Sequence, residues 1–250
     1  MSKLIFLCIA GFFAALIDSI AGGGGLISLP AFLLAGVPPY FALGTNKFAS
    51  TSASLTSSLK FAKSGKVQFG LLKYLIPFTL IGAVLGVKSV LNIDQKYLST
   101  IVLVLVLAVG IYSFFSKSIG IEDKYIGIKK KGLFLGILLA FVLGFYDGFF
   151  GPGVGSFLIF GLIGIFGFDF VHASGNARVL NFISNITALI IFALNKQINY
   201  YYGIPVAILM IIGARIGTVL ALKNGSKLIK PIFITMSLAV ACKMLFSMVK

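Results

Sequence analysis

Acidic residues are scarce in this sequence: six Asp and Glu stand against 21 Lys and Arg in 250 residues. Charged residues of both signs make up only 11% of the chain. That leaves too little polar surface for a soluble domain of this length, and the class that remains is a polytopic membrane protein. Cysteine is nearly absent, and Cys8 and Cys242 lie far apart in apolar segments. This excludes a disulfide framework or a cysteine metal site, and both read as small packing residues. His172 is the one histidine and cannot form a metal site alone. No Ser-His-Asp, paired-acid or cysteine–metal constellation supports catalysis, so the chain is not expected to be an enzyme or to carry a cofactor or metal. No tail, linker or low-complexity run is long enough for a separate domain. Met1 to Ala10 carries one early lysine and then an apolar run. No convincing small-residue cleavage site precedes Asp18, so this segment is expected to be a retained first helix.

What the chain has in abundance is apolar sequence, 59% of it, with a mean hydropathy of +1.08. Its excess of lysine falls in short turns between apolar runs, which is the membrane orientation signal and not a nucleic-acid footprint. One stretch organises the rest: Asp18-Ser19-Ile20-Ala21-Gly22-Gly23-Gly24-Gly25, followed by an apolar run to Gly36 and then Pro38-Pro39. The run from Leu26 to Gly36 would reach roughly 16 Å as a helix, about half the hydrocarbon thickness. It is therefore a half-helix, or the far arm of a hairpin that turns back within the membrane. The stretch returns, altered, as Asp147-Gly148-Phe149-Phe150-Gly151-Pro152-Gly153-Val154-Gly155.

Phe41 to Ala62 is long enough to span but unusually polar. Asn46, Ser50, Ser54 and Ser57 follow at spacings of four, four and three, and so share one helix face. Such a face must look at other helices or water and not at lipid. Val67 to Leu91 and Tyr97 to Phe115 read as ordinary spans, and Gly82 with Gly86 forms a small-xxx-small pair for close contact. The second half repeats this order. Asp18, Gly22 and Gly24 recur 129 positions later as Asp147, Gly151 and Gly153. Gly44, Lys47, Ser50, Ser54, Gly82 and Gly86 recur 131 positions later as Gly175, Arg178, Asn181, Asn185, Gly213 and Gly217.

The fold expected is an all-α polytopic membrane protein of two inverted repeats. Each repeat is a glycine-broken helix or hairpin plus three spanning helices, about eight to ten membrane segments in all. Residues 1–116 form the first repeat, 117–131 a cytoplasmic connection and 132–250 the second repeat. With the turn near Lys63 inside, Lys60, Lys66, Lys117, Lys124 and Lys129 to Lys131 are also cytoplasmic, as are Lys223, Lys227 and Lys230. Lys3, Lys88, Lys96, Lys196 and Lys250 fall outside, which favours the inverted arrangement with both termini outside. A parallel arrangement of four plus four spans is the alternative.

Lys47 and Arg178 are repeat-equivalent bases on the two polar helices. A charge at mid-membrane costs roughly 2.5–3.5 kcal/mol on insertion scales, so both need partners. Two are open to them: a bound anion, or Asp18 with Asp147. The glycine breaks have two readings as well. They allow tight helix packing, or they expose backbone N–H groups at two half-helix starts that face each other as an anion cradle. In the cradle reading an anion sits between residues 22–26 and 151–155, held by amides of Gly22, Gly23, Gly24, Gly25, Gly151, Gly153 and Gly155. Asn46, Lys47, Ser50, Ser54, Arg178, Asn181 and Asn185 complete the substrate-binding set. Asp18 and Asp147 are the coupling residues, taking a proton or, as runner-up, sodium.

Four motifs carry a family resemblance: Ile17 to Gly25, Gly44-Thr45-Asn46-Lys47, Gly144 to Gly153, and Asn176-Ala177-Arg178-Val179-Leu180-Asn181. In these the chain resembles the sulfite exporter TauE/SafE family, also called the toluene sulfonate uptake permease group. The second-half motif is most similar to its YfcA-like bacterial subgroup. The resemblance covers essentially the whole chain, and Asn176 enters the site set with the matched motif. It implies a multi-pass permease of the bacterial plasma (inner) membrane that moves small sulfur-containing anions such as sulfite, sulfoacetate or other sulfonates. Partners are then the anion, a proton or sodium, the lipid bilayer and a homo-oligomer, and no nucleic acid. An anion uniporter or channel, a permease for another small organic anion, and a membrane scaffold without turnover are the alternatives.

Overall fold

The structure is a computed structural model and describes residues 2–94, 96–98, 100, 101, 104, 105, 122–125 and 127–224. Eight helices have both ends within that range: α1 Ser2–Ala21, α2 Gly25–Leu34, α3 Pro39–Lys63, α4 Phe69–Leu91, α5 Lys130–Phe149, α6 Val154–Phe166, α7 Phe170–Leu194 and α8 Tyr200–Asn224. The described residues between 96 and 105 are helical as well. No strand occurs among the described residues. Helices α1, α4, α5, α7 and α8 are long and apolar enough to cross a membrane. Helix α3 is equally long but too polar to count with them, whereas α2 and α6 are short, with 10 and 13 residues. The expected span at Leu228 to Phe246, and most of that at Tyr97 to Phe115, lie outside the described residues, as do Lys117, Lys227, Lys230, Cys242 and Lys250.

Helix α1 stops at Ala21 because the next two residues, Gly22 and Gly23, take φ of +71° and +134°. Only glycine enters that region without penalty. Helix α5 stops in the same manner before Gly151, at φ +101°. The chain then restarts as α2 and α6, so each half carries one helix interrupted at a glycine break.

The outer faces of α1, α4, α5 and α8 carry exposed Ile, Leu and Phe, including Ile5, Ile9, Leu80, Ile81, Phe134, Leu138, Ile208 and Ile212. These faces suit hydrocarbon and not water. Helices α3 and α7 occupy the interior, where Thr45, Asn46, Lys47, Ser57, Asn176, Arg178, Asn181 and Asn185 are all buried.

Packing contacts recur between the halves at the separations seen in sequence. A Cβ on Gly82 would lie 2.2 Å from the Phe141 carbonyl oxygen, and one on Gly86 2.1 Å from that of Phe145. The equivalent positions Gly213 and Gly217 meet the carbonyls of Phe12 and Leu16 at 2.3 and 2.2 Å. So α4 lies directly on α5, and α1 on α8, each pair parallel and in backbone contact. Helices α3 and α7 run antiparallel. Gly44 near the start of α3 meets the Gln197 carbonyl beyond the end of α7, and Gly175 near the start of α7 meets that of Lys66 beyond the end of α3. The starts of α4 and α8 are tied down reciprocally. The Gln68 N–H donates to Asn176 Oδ1 at 2.9 Å, and the Asn199 N–H donates to Thr45 Oγ1 at 2.9 Å.

At the α7 start, Asp169 accepts the His172 N–H at 2.8 Å as a helix cap. Burial by itself raises the Asp169 carboxyl, but the His172 backbone and side-chain hydrogen bonds and its charge outweigh this, and the group stays below the ordinary carboxylate range. His172 Nδ1 stands 2.9 Å from Asp169 and 3.6 Å from Asp123. The ligand atoms of these three lie within 4.8 Å of one another, so the lone histidine has one acid three positions away in sequence, Asp169, and a second, Asp123, that only the fold brings to it. Stacking of Tyr125 on Phe168, at 4.4 Å between ring centroids, fixes the same connection.

Candidate functional site

The two helix breaks meet. A Cβ on Gly22 would lie 2.4 Å from Gly155 C and from Ser156 N, and one on Gly25 2.9 Å from Pro152 Cα. Ser156 seals the junction by donating to the carbonyls of Gly22 and Ala21, the latter at 3.2 Å. Gly24 has a different task, since its Cβ position is 2.3 Å from the Ala14 carbonyl oxygen. Close packing and positive φ thus both act within the one glycine run.

Beside the junction lies a cavity of ≈ 30 Å³. At about 10–15 Å³ per water centre it has room for a few waters. It is lined by Asp18, Gly24 and Gly25 from the first break and by Gly151, Gly153 and Gly155 from the second. Asn46, Lys47 and Ser50 come from α3, Asp147 from α5, Asn181 and Asn185 from α7, and Met210 from α8. Asn46 Oδ1 is buried without a hydrogen-bond partner.

Two ion pairs cross between the halves. Lys47 Nζ lies 2.5 Å from Asp147 Oδ1, with both side chains almost wholly buried. The other Asp147 oxygen accepts from Asn181 Nδ2 at 3.0 Å and from the Ser184 hydroxyl. Lys47 also donates to Asn185 Oδ1 at 3.2 Å. In the second pair, Arg178 Nη1 is 2.5 Å from Asp18 Oδ2, and Nη2 donates to the Asp18 carbonyl. Asp18 Oδ1 accepts the N–H groups of Gly23 and Gly24 at 2.9 and 3.0 Å. Every charge here therefore has a countercharge, and each acid takes its base from the opposite half. A buried charge deprived of such a partner is strongly destabilising.

Some of the residues named from sequence lie elsewhere. Asn176 is outside the cavity, where it accepts from Gln68 and donates to the His172 carbonyl at 2.8 Å. Ser54 is buried and donates to the Thr51 carbonyl of its own helix at 3.1 Å. Gly22 and Gly23 form the turn behind the cavity wall, and Arg178 reaches Asp18 from behind it. Ser184 and Ser156 went unnamed from sequence, yet they hold Asp147 and the junction. Ser184 follows Asn181 by three positions and so continues its helix face, a signal that was there to be read. Ser156 carried no comparable signal, because Ile27 stands at its place in the first half.

The sulfite exporter TauE/SafE family matches residues 7–244. A probable membrane transporter protein of Haemophilus influenzae is 36% identical over 242 residues, covering 97% of this chain and 94% of that protein. A probable membrane transporter protein, ORF9, of Sinorhizobium sp. is 36% identical over 245 residues, with 97% and 92% covered. The probable membrane transporter protein YfcA of Escherichia coli is 34% identical over 233 residues, with 93% and 86% covered. No solved structure matches.

Proposed function

The chain belongs to the sulfite exporter TauE/SafE family of membrane transporters and is a multi-pass protein of a bacterial membrane, and on that premise we propose that it is a secondary transporter of small sulfur-containing anions. Sulfite is the substrate named in the family description, and we extend the class to sulfonates such as sulfoacetate, which carry the same kind of oxyanion group. The observation that carries the reading is the cavity where two broken helices meet, bordered by Lys47, Asp147 and Asp18 of two acid–base pairs that each join opposite halves. The anion binds there to backbone N–H groups and to Ser50, Asn181 and Asn185, with Lys47 and Arg178 supplying charge. With room for only a few waters, the cavity suits one small ion and not a wide pore.

We read the halves as inverted repeats that alternate access to this cavity. Support comes from the repeat-equivalent α3 and α7, which run antiparallel. Asp18 and Asp147 are the coupling groups, because breaking either pair by protonation changes how the halves hold each other. Coupling to protons is tested with purified protein in liposomes. Sulfite flux should rise several-fold under an imposed pH gradient and not under a sodium gradient alone. Flux that follows sodium would move the coupling to that ion. Flux that ignores both gradients and survives Asp18→Asn with Asp147→Asn would leave a uniporter or channel.

Orientation follows from charge. Lys60, Lys63 and Lys66 share one end of the molecule with Lys124, whose N–H donates to the Gly167 carbonyl at 2.8 Å, and with Lys129, Lys130 and Lys131. Lys3, Lys88, Lys96 and Lys196 mark the other end. The crowded end is cytoplasmic by the positive-inside rule. A cysteine placed at Pro39 should react with an impermeant maleimide added to whole cells, and one at Lys129 should not; the reverse pattern would overturn this orientation.

A further inference from the structure

We propose that the Asp18 carboxylate is an internal stand-in for the transported anion, seated in an oxyanion site that substrate takes over when Asp18 leaves. This rests on the transporter reading above and names the subsite it uses. The site is built from the N–H groups of Gly23 and Gly24 and the Arg178 guanidinium, all converging on one carboxylate. Charge-assisted bonds from a guanidinium and a curled run of backbone amides are general means of holding an oxyanion. The positive φ of Gly22 and Gly23 aims those amides.

Two observations separate this from a simple helix cap with an ion pair. Asp18 is 24% exposed and borders the cavity, whereas the Arg178 side chain that holds it is 1% exposed. The donors are thus fixed in the protein and the carboxylate faces the space from which it could be displaced. Arg178 Nε is also buried without a partner, so the guanidinium keeps a further N–H to offer. The second half lacks this site. Pro152 stands where Gly23 stands in the first half and has no N–H to give, and Asp147 bonds to Lys47, Asn181 and Ser184 instead. The anion subsite is therefore asymmetric and lies at the start of α2.

Exchange of this kind links anion to proton. The charged groups around Asp18 are Arg178 from α7 and, on the cavity wall, Lys47 from α3 and Asp147 from α5; α2 and α6 contain no titratable residue. A proton on Asp18 cancels the charge that Arg178 holds, and an incoming anion restores it. Proton and anion then occupy the site together.

Formate is the probe, because it is the carboxylate without the chain. Asp18→Ala in the full-length detergent-purified protein should lower the midpoint of thermal unfolding by about 10 °C, the scale of an orphaned buried charge. Formate, and sulfite in parallel, should reverse the loss saturably, while chloride at the same ionic strength should not. Asp18→Asn should respond less, and the wild type at neutral pH least of all. Recovery of Asp18→Ala only in formate-containing buffer supports the proposal. Should that variant fold in neither buffer, Asp18→Asn decides, since it must still gain more from formate than the wild type does. An Asp18→Ala protein that ignores formate, or an Asp18→Asn protein no more responsive than wild type, overturns the proposal. These readouts involve no flux, so formate rescue without gradient-driven transport would keep the subsite and sink the secondary-transport reading.

Discussion

Lys47→Ala should be as damaging to stability as any single change in the cavity, and should abolish transport too. It leaves the Asp147 carboxylate buried, with only Asn181 and Ser184 to hold it. Removing one partner of a buried pair costs about 3–5 kcal/mol. For a chain of this size each kcal/mol moves the unfolding midpoint by about 2–4 °C, so a fall of about 10 °C is expected in a detergent melt. Sulfite flux in liposomes should be lost as well. The double variant Lys47→Ala with Asp147→Ala separates the two effects. It no longer buries an unpaired charge, so most of the lost stability should return, whereas flux should not. A double variant that recovers both would mean that the pair only holds the helices together.

The sequence offered acid–base pairing as one of two readings for these charges, but which acid meets which base was not visible in it. Lys47 and Arg178 stood out because each interrupts a polar helix face at equivalent places, and Asp18 and Asp147 because each precedes a glycine break. Both marks are local. Which acid meets which base depends on how α3 and α7 pack against the broken helices, and no local pattern holds that information. The structure joins each base to the acid of the other half, and leaves the α2 amides bonded to Asp18.

Asn176 shows a different kind of gap. It stands two positions before Arg178, and two positions turn a helix by about 200°, so the two cannot share a face. Its true counterpart is Thr45, at the same separation that relates Gly44 to Gly175. Both receive an N–H at the start of the other half's helix, α4 for Asn176 and α8 for Thr45. The repeat therefore held a signal about Asn176, but it was one of helix docking and not of substrate. Ser54 lies on the polar face as its spacing requires, yet its hydroxyl bonds to its own helix. A face periodicity reports burial and cannot tell a cavity wall from a helix interface.

Gly22→Ala should prevent the protein from folding to a stable state, and the reason can be separated into two parts. The first is the backbone. Gly22 sits at φ +71°, where an L side chain costs about 1–2 kcal/mol. Gly65 sits at φ +70° with nothing within 4 Å of its Cβ position, so Gly65→Ala measures that cost alone. The second part is contact. A methyl on Gly22 would lie 2.4 Å from the backbone of Gly155 and Ser156, which cannot rotate aside as a side-chain tip can. The two breaks must separate, and Ser156 then loses its bonds to the carbonyls of Gly22 and Ala21, each worth about 1 kcal/mol. Together these come to about 3–4 kcal/mol, and parting the two breaks adds the packing they share, which brings the loss to the low end of the 5–15 kcal/mol that stabilises a typical domain. Size-exclusion profiles of the two variants, expressed and extracted side by side, check the prediction. Gly65→Ala should elute as the wild type does with a slightly lower melting point, and Gly22→Ala should aggregate or fail to accumulate. If both behave alike, φ alone matters at Gly22, and the backbone contact that closes the two halves around the cavity is not the one described.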